Sequence, residues 1–223
     1  DAAPLLPESW VKLAMLEGGD GWVHHGAKST RIEYDLERCE LRWTRLHLAV
    51  VVGNTQEVRE LLGGGADMKD DSGAFCDSQW DNERGFAPYW DSALHMAMPL
   101  HLAARMGHLE CLRELLDRGA DMQRKTKYRR GHMPIHLAAR YRHLGCLTEL
   151  LDRGADMEAR DGNGCTALHW ASGQGGSECL RLLLDVGADM EAMGGVHGNG
   201  PPLVIAAASG CLESLRELLD RGA

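Results

Sequence analysis

The sequence predicts an all-α solenoid of stacked helix-turn-helix repeats. Three observations lead to this fold class. A short motif centred on Leu-His recurs in five copies, the last of them degenerate. A block related to Leu-Leu-Asp-Arg-Gly-Ala-Asp-Met follows each copy, and the copies are separated by steps close to one period. One such unit cannot bury its apolar surface alone, so stacked neighbours must complete a continuous core.

The recurring motif places a histidine at one repeat position, and its degenerate fifth copy has Val204 there. The steps between these positions are 54, 35, 33 and 35 residues, which indicates a period of about 33 and one insertion of 21 residues. The four histidines are His47, His101, His136 and His169. The second block is found at 61–68, 115–122, 150–157 and 183–190, and its last copy stops at Gly222-Ala223.

Each repeat is predicted to contain a short inner helix and an outer helix. Thr or Pro before Leu-His is a helix-start signal, and small residues such as Ala103 allow inner helices to pack closely. Gly107-His108 is predicted to turn the chain, and Leu112 and Leu116 lie at the apolar spacing of an outer helix. Glycines then supply a left-handed cap for the outer helices, at Gly119, Gly154 and Gly187.

This pattern resembles the ankyrin repeat, whose Thr-Pro-Leu-His-x-Ala signature recurs at the same period. The resemblance covers roughly residues 43–223. It implies β-hairpin fingers between the helix pairs, and motif histidines that hydrogen-bond the finger to the start of the inner helix. It also implies a scaffold that binds proteins, with the variable binding positions along a concave groove.

Two regions are expected. Residues 1–40 form an irregular N-terminal extension that covers the first repeat, and residues 41–223 contain five repeats. A long insertion at about 69–97 separates repeats one and two. Because the chain begins without Met, we expect a processed protein, a trimmed one or part of a longer one.

Charge and composition exclude several classes of protein. The chain has 24 basic and 33 acidic residues and a net charge of −9, which argues against general binding of nucleic acid or anionic membranes. It contains no apolar run long enough for a transmembrane helix and does not begin with a signal peptide. Seven cysteines without a Cys-x-x-Cys pair indicate reduced thiols and an intracellular location. The cytoplasm is favoured, and the interior of an organelle remains an alternative.

No catalytic, cofactor or metal site is predicted. A zinc site formed by the motif histidines is an alternative, but successive copies are expected about 10 Å apart, too far to share one ion. Cysteines at one outer-helix position are interpreted as small buried apolar residues, with a redox role as the alternative. They are Cys111, Cys146 and Cys179. No nucleophile elbow, phosphate loop or His-Glu-x-x-His motif is present, so we expect no enzyme activity.

The long insertion is the first candidate for partner binding. Five of the twelve aromatic residues lie in it, and residues 70–91 have a local net charge of −5. Insertions in solenoids map to loops that are often on the binding face, and aromatic residues are favoured in binding hot spots. The alternative is a flap that folds onto its own neighbouring repeats. The aromatic residues are Phe75, Trp80, Phe86, Tyr89 and Trp90.

The next finger is the second candidate, because it has five positive charges and a two-residue extension. It suits an acidic partner, a phosphorylated segment or anionic lipid headgroups. The alternative, which is the preferred interpretation, is internal pairing with the neighbouring acidic insertion. The candidate residues are Arg124, Lys125, Lys127, Tyr128, Arg129 and Arg130.

The third candidate is the row of positions at the ends of the inner helices, named the groove edge. Repeats one to three offer apolar and arginine side chains there, whereas repeats four and five offer almost none, so contact is predicted near repeats one to three. Scattered surface residues without a function are the alternative. The groove edge comprises Val51, Val52, Arg105, Met106, Arg140, Tyr141, Gly173, Gln174, Ala208 and Ser209.

These observations predict a non-catalytic adaptor that binds another protein through the groove and fingers of repeats one to three. A permanent structural or linker subunit of a larger, for instance organellar, assembly is an alternative. In that case the N-terminal extension and the aromatic insertion would be built into neighbouring subunits. A third interpretation, the regulatory arm of an enzyme, requires a catalytic domain outside this chain.

Overall fold

The computed structural model describes residues 44–69, 98–126, 131–175, 177–195 and 200–223. In this part of the chain ten α-helices follow one another as five pairs of an inner and an outer helix. The inner helices are α1 (Arg45–Val52), α3 (Pro99–Met106), α5 (Pro134–Arg140), α7 (Ala167–Gly173) and α9 (Pro202–Ala208). The outer helices are α2 (Thr55–Gly63), α4 (Leu109–Asp117), α6 (Leu144–Asp152), α8 (Ser177–Asp185) and α10 (Leu212–Asp220).

The helices form two layers. Each inner helix packs on the inner helix of the next repeat, each outer helix packs on the next outer helix, and each pair packs internally. Apolar side chains that are fully buried between the layers recur in successive repeats, as at Leu46, Leu112, Leu147, Leu183 and Leu218. Because this core is continuous from one repeat to the next, the predicted all-α solenoid is confirmed.

The helix boundaries follow the sequence signals. Thr44 caps α1 with its side chain and forms a reciprocal capping box with His47, whereas α3, α5 and α9 each begin at a proline. The glycines that follow α4, α6 and α8 have φ of 83°, 86° and 91°, as expected for left-handed caps. These glycines are Gly119, Gly154 and Gly187.

The fingers are closed by single backbone pairings in the residues that are described. Gly194 and Gly200 form one antiparallel bridge, with two N–H···O bonds of 3.1 Å. In the finger before α5, Thr126 N–H donates to the carbonyl of His132, and His132 N–H donates to Thr126 Oγ1. The hairpin strands that the resemblance implies do not extend into ladders here, because turns and side-chain bonds satisfy the short polar segments.

Ion pairs link the outer helices of adjacent repeats. A glutamate binds an arginine of the preceding repeat at 2.9, 2.7 and 2.8 Å, and each also binds the arginine four residues later. The glutamates are Glu114, Glu149 and Glu217. Leu182 occupies this position in repeat four, so repeats three and four lack the pair. Exposed pairs of this kind contribute only about 0–1 kcal/mol each, so the buried core dominates the stacking.

The turn between the helices of repeat three has a strained residue. Arg142 has φ of 63° at the position where repeat two has Gly107 with φ of 77°. A Cβ added at Gly107 would overlap the ring of His143 in the next repeat. In repeat four the residue at the position of His143 is Gly176, which has no side chain. Arg142 therefore occupies the left-handed region that glycine occupies in repeat two, at the cost of backbone strain.

We expect Arg142→Gly to stabilise the protein by about 1 kcal/mol, because glycine adopts positive φ without the clash of Cβ with the carbonyl oxygen. Urea unfolding at neutral pH measures this gain. Gly107→Ala is the matched comparison and should lower stability, since it adds both backbone strain and overlap with His143. A lower unfolding midpoint for Arg142→Gly than for the wild type would contradict this account.

Candidate partner-binding surface

The groove edge has two different halves. In repeats one to three its side chains are half-buried, and Val51 and Tyr141 pack against the core. In repeats four and five the positions are exposed or have small residues, as at Gln174, Ala208 and Ser209. Side chains that the core already restrains lose less conformational entropy when a partner binds. The groove edge of repeats one to three is therefore more preorganised for binding than that of repeats four and five.

Two arginines and two aromatic rings form a continuous row across repeats two, three and four. The guanidinium of Arg105 lies 5.0 Å from the ring centroid of Tyr141. The guanidinium of Arg140 lies 5.4 Å from the same centroid and 4.8 Å from the ring of Trp170. Cations within about 6 Å of an aromatic ring are attracted to its face. We name these four residues the arginine–aromatic row.

Trp170 brings repeat four into this surface, although it lies outside the residues proposed from the sequence. The equivalent positions in α3 and α5 are Leu102 and Leu137, which are fully buried. The larger indole is half-buried, and its Nε1 donates a hydrogen bond of 3.1 Å to Asp161 Oδ2. The replacement of leucine by tryptophan at a repeated core position was the sequence signal for this residue.

Asp161 fixes the position of Trp170 through the hydrogen bond that it accepts from the indole. Its side chain is fully buried, and Oδ1 accepts bonds of 2.8 and 2.9 Å from the backbone N–H groups of Asn163 and Cys165. His132 Nδ1 lies 3.4 Å from Oδ2, and the His132 ring packs edge-to-face on Trp170 at 5.2 Å. Burial acts to raise the pKa of Asp161, but the contacts with His132 and the two backbone groups outweigh it and lower that pKa.

Residues of the inter-helix turns fix the groove edge from the neighbouring repeat. His143 Nε2 donates to the carbonyl of Arg105 at 2.8 Å, and His108 Nε2 donates to the carbonyl of Val51 at 3.0 Å. Burial lowers the pKa of His143, which favours the neutral ring that this geometry uses. The sequence identified His108 only as a turn residue and did not single out His143, because these bonds cross between repeats.

Three motif histidines connect their inner helices to the fingers that follow, as the resemblance implies. His101, His136 and His169 place Nε2 at 3.0, 2.9 and 3.2 Å from finger carbonyls. In the latter two, Nδ1 accepts a bond of 3.1 Å from the backbone N–H that precedes the helix. Burial lowers the pKa of His101 and His136 to about 4 and also lowers the pKa of His169. These rings are neutral structural links.

The repeated cysteines lie in the core. Cys111, Cys146 and Cys179 are each buried to within 1% exposure, so they pack as small apolar side chains. Burial raises the pKa of Cys146 and Cys179 to about 11 and also raises the pKa of Cys111. Since the thiolate is the reactive form, these thiols are poor nucleophiles at neutral pH.

The structure covers only part of the predicted site. Arg124 is half-buried, and its carbonyl accepts the bond from His101, whereas Lys125 is exposed beside the same finger. Met106 is half-buried at the end of α3. The remaining predicted residues lie outside the described part of the chain: Phe75, Trp80, Phe86, Tyr89, Trp90, Lys127, Tyr128, Arg129 and Arg130.

Across the described ranges, no three histidine, cysteine or acidic side chains are grouped so that they could hold a metal ion. The helices in those ranges are also too short, or too polar, for any of them to span a bilayer.

The comparison with known families agrees with this architecture. A family model for ankyrin repeats (three copies) matches residues 22–126, 89–161 and 135–223. No curated protein matches the chain. The three matches together extend over more than half of the sequence, and the five described helix pairs stack as such repeats do. The chain therefore belongs to the ankyrin-repeat family.

Proposed function

We propose that this protein is a non-catalytic, intracellular scaffold that binds a partner protein through the groove and fingers of repeats one to three. Ankyrin repeats generally mediate protein–protein interaction. The observation that carries the proposal is the arginine–aromatic row, whose half-buried rings and guanidiniums are the side chains most enriched in binding hot spots. Trp170 extends the proposed contact to the edge of repeat four.

The chemistry of the described residues favours binding over catalysis. The buried motif histidines His136 and His169 are committed to backbone hydrogen bonds, and burial raises the pKa of the Cys146 and Cys179 thiols away from the reactive range. The aromatic insertion and the basic finger remain proposed second contacts, because five aromatic and five basic side chains lie in two adjacent fingers. Their contribution is separable from that of the groove by deletion.

The test is recovery of partners from native extract, quantified by mass spectrometry and followed by direct binding measurements. We compare the intact chain with Tyr141→Ala and with a variant that lacks residues 72–91. Tyr141→Ala is expected to weaken binding of the stoichiometric partner about thirtyfold, as for a hot-spot tyrosine. Loss of the same partner on deletion of residues 72–91 would make the insertion part of the recognition surface.

Tyr141→Phe is the matched control for the groove. It keeps the ring that faces both guanidiniums and removes only the hydroxyl, so partner recovery should remain near the wild-type level. Arg181→Ala should also leave recovery unchanged, since it removes an exposed ion pair between two outer helices and no groove-edge side chain. Equal recovery with Tyr141→Ala and Tyr141→Phe would refute the groove as the binding surface.

A further inference from the structure

The two layers of the solenoid differ in charge. The five inner helices contain three arginines and no acidic residue. Each of the five outer helices has more acidic than basic residues. The ten groove-edge positions contain two arginines and no Asp or Glu. The negative charge of the described helices therefore lies on the outer layer, and the groove edge is a basic strip on an acidic protein.

The arginine–aromatic row concentrates that positive charge. Both guanidiniums lie over the ring of Tyr141, so two like charges are held on one aromatic side chain. When the face of a guanidinium stacks on an aromatic ring, the N–H groups at the edge of the guanidinium can still bind carboxylates, often in a bidentate arrangement.

We infer that the arginine–aromatic row recognises carboxylate side chains on an extended acidic segment of a partner protein. This inference rests on the proposed protein-binding function and adds the chemistry of the partner. Aspartate or glutamate side chains of the segment pair with Arg105 and Arg140, while its backbone and apolar groups contact the rings of Tyr141 and Trp170. Exposed Lys125 and Arg142 lie in the same two repeats and add to the attraction.

The charge distribution favours a short protein segment over larger polyanions. A segment in the groove meets the inner helices, which have no acidic side chain. A bilayer or a nucleic acid presents many negative charges, which the net negative charge of the outer helices repels. The half-buried indole and phenol rings also provide apolar contact area that a partner's side chains can use.

The experiment selects binders from a random dodecapeptide display library with the intact chain as target. Selected peptides are then titrated by fluorescence anisotropy against the wild type and Arg105→Gln/Arg140→Gln. We expect enrichment of Asp and Glu, and affinity about tenfold weaker for each arginine removed. Arg105→Lys/Arg140→Lys keeps the charge without the planar fork, so it should bind with intermediate affinity. Binding should weaken as ionic strength rises.

Arg113→Gln/Arg181→Gln is the matched control, because it removes two arginines from outer helices and should not change affinity. Unfolding midpoints measured for every variant separate loss of binding from loss of fold. Selected peptides that are not enriched in Asp and Glu but lose affinity for Tyr141→Ala would overturn the carboxylate inference and leave the proposed function standing. Selected peptides that bind every groove variant with wild-type affinity would overturn both the carboxylate inference and the proposed function.

Vesicles of phosphatidylserine and phosphatidylcholine provide the second arm. We expect no co-sedimentation of the intact chain with them. Co-sedimentation that is abolished by Arg105→Gln/Arg140→Gln would overturn the inference in favour of a lipid headgroup at the same arginines.

Discussion

Acidification from pH 7.5 to pH 5 is expected to destabilise this protein by several kcal/mol, without protonation of its carboxylates. His101 and His136 are fully buried, and burial lowers their pKa from an unfolded value of 6.5 to about 4. A base whose pKa is lower in the folded than in the unfolded protein contributes its full stability at pH values above the unfolded pKa. That contribution is lost as the pH falls from 6.5 towards 4. At pH 5 the loss is about 2 kcal/mol for each ring.

The hydrogen bonds explain why protonation is unfavourable. Nδ1 of His136 accepts a backbone N–H, and Nε2 already donates to the carbonyl of Ala159. A protonated ring has donors at both nitrogens, so it cannot keep the first bond. His169 has the same arrangement, and burial also lowers its pKa. The effect therefore recurs along the solenoid.

Urea unfolding at a series of pH values measures this dependence, with His136→Gln as the informative variant. Glutamine offers an acceptor and a donor but does not titrate, so the variant should lose less stability between pH 7.5 and pH 5 than the wild type does. An unfolding midpoint that stays constant over this range in the wild type would show that the buried rings do not control acid stability.

Asp161→Asn is expected to lower the free energy of unfolding by about 3 kcal/mol. Asp161 accepts two backbone N–H groups on one oxygen and the Trp170 indole on the other. An asparagine has only one acceptor oxygen, so its NH₂ group must face either the indole N–H or the two backbone N–H groups. Donors then oppose each other in a fully buried site.

Guanidinium unfolding at neutral pH tests this, and Asp156→Asn is the matched control. Asp156 accepts one backbone N–H, from Glu158, but is exposed, so the same chemical change should cost less than about 1 kcal/mol. Asp161→Asn should also weaken partner binding. The guanidinium of Arg140 stacks on the Trp170 indole, and the substitution disturbs the hydrogen bond that holds this indole in place. Similar stability of the two variants would show that the buried carboxylate is not a major structural element.

The local elements were predictable because their causes are local. The Leu-His motif, the helix-start signals and the glycine caps each act within a few residues, and the structure has helices and left-handed glycines at those places. Arg105, Arg140 and Tyr141 were proposed from their repeat position alone, and the structure brings them together in one row. Trp170 was passed over, because its position is a buried leucine in repeats two and three.

The sequence by itself determined the period and the helix pairs, since both depend on short-range patterns that recur. The bonds from the motif histidines to the fingers span 23 to 31 residues and were expected only from the family resemblance. Only the tertiary structure decided how repeats meet. The stacking of Arg105 on Tyr141 and the hydrogen bond from His143 to the carbonyl of Arg105 both join different repeats. The separation of charge between the two layers also depends on the tertiary structure, because a net charge of −9 does not say on which surface the acidic residues lie.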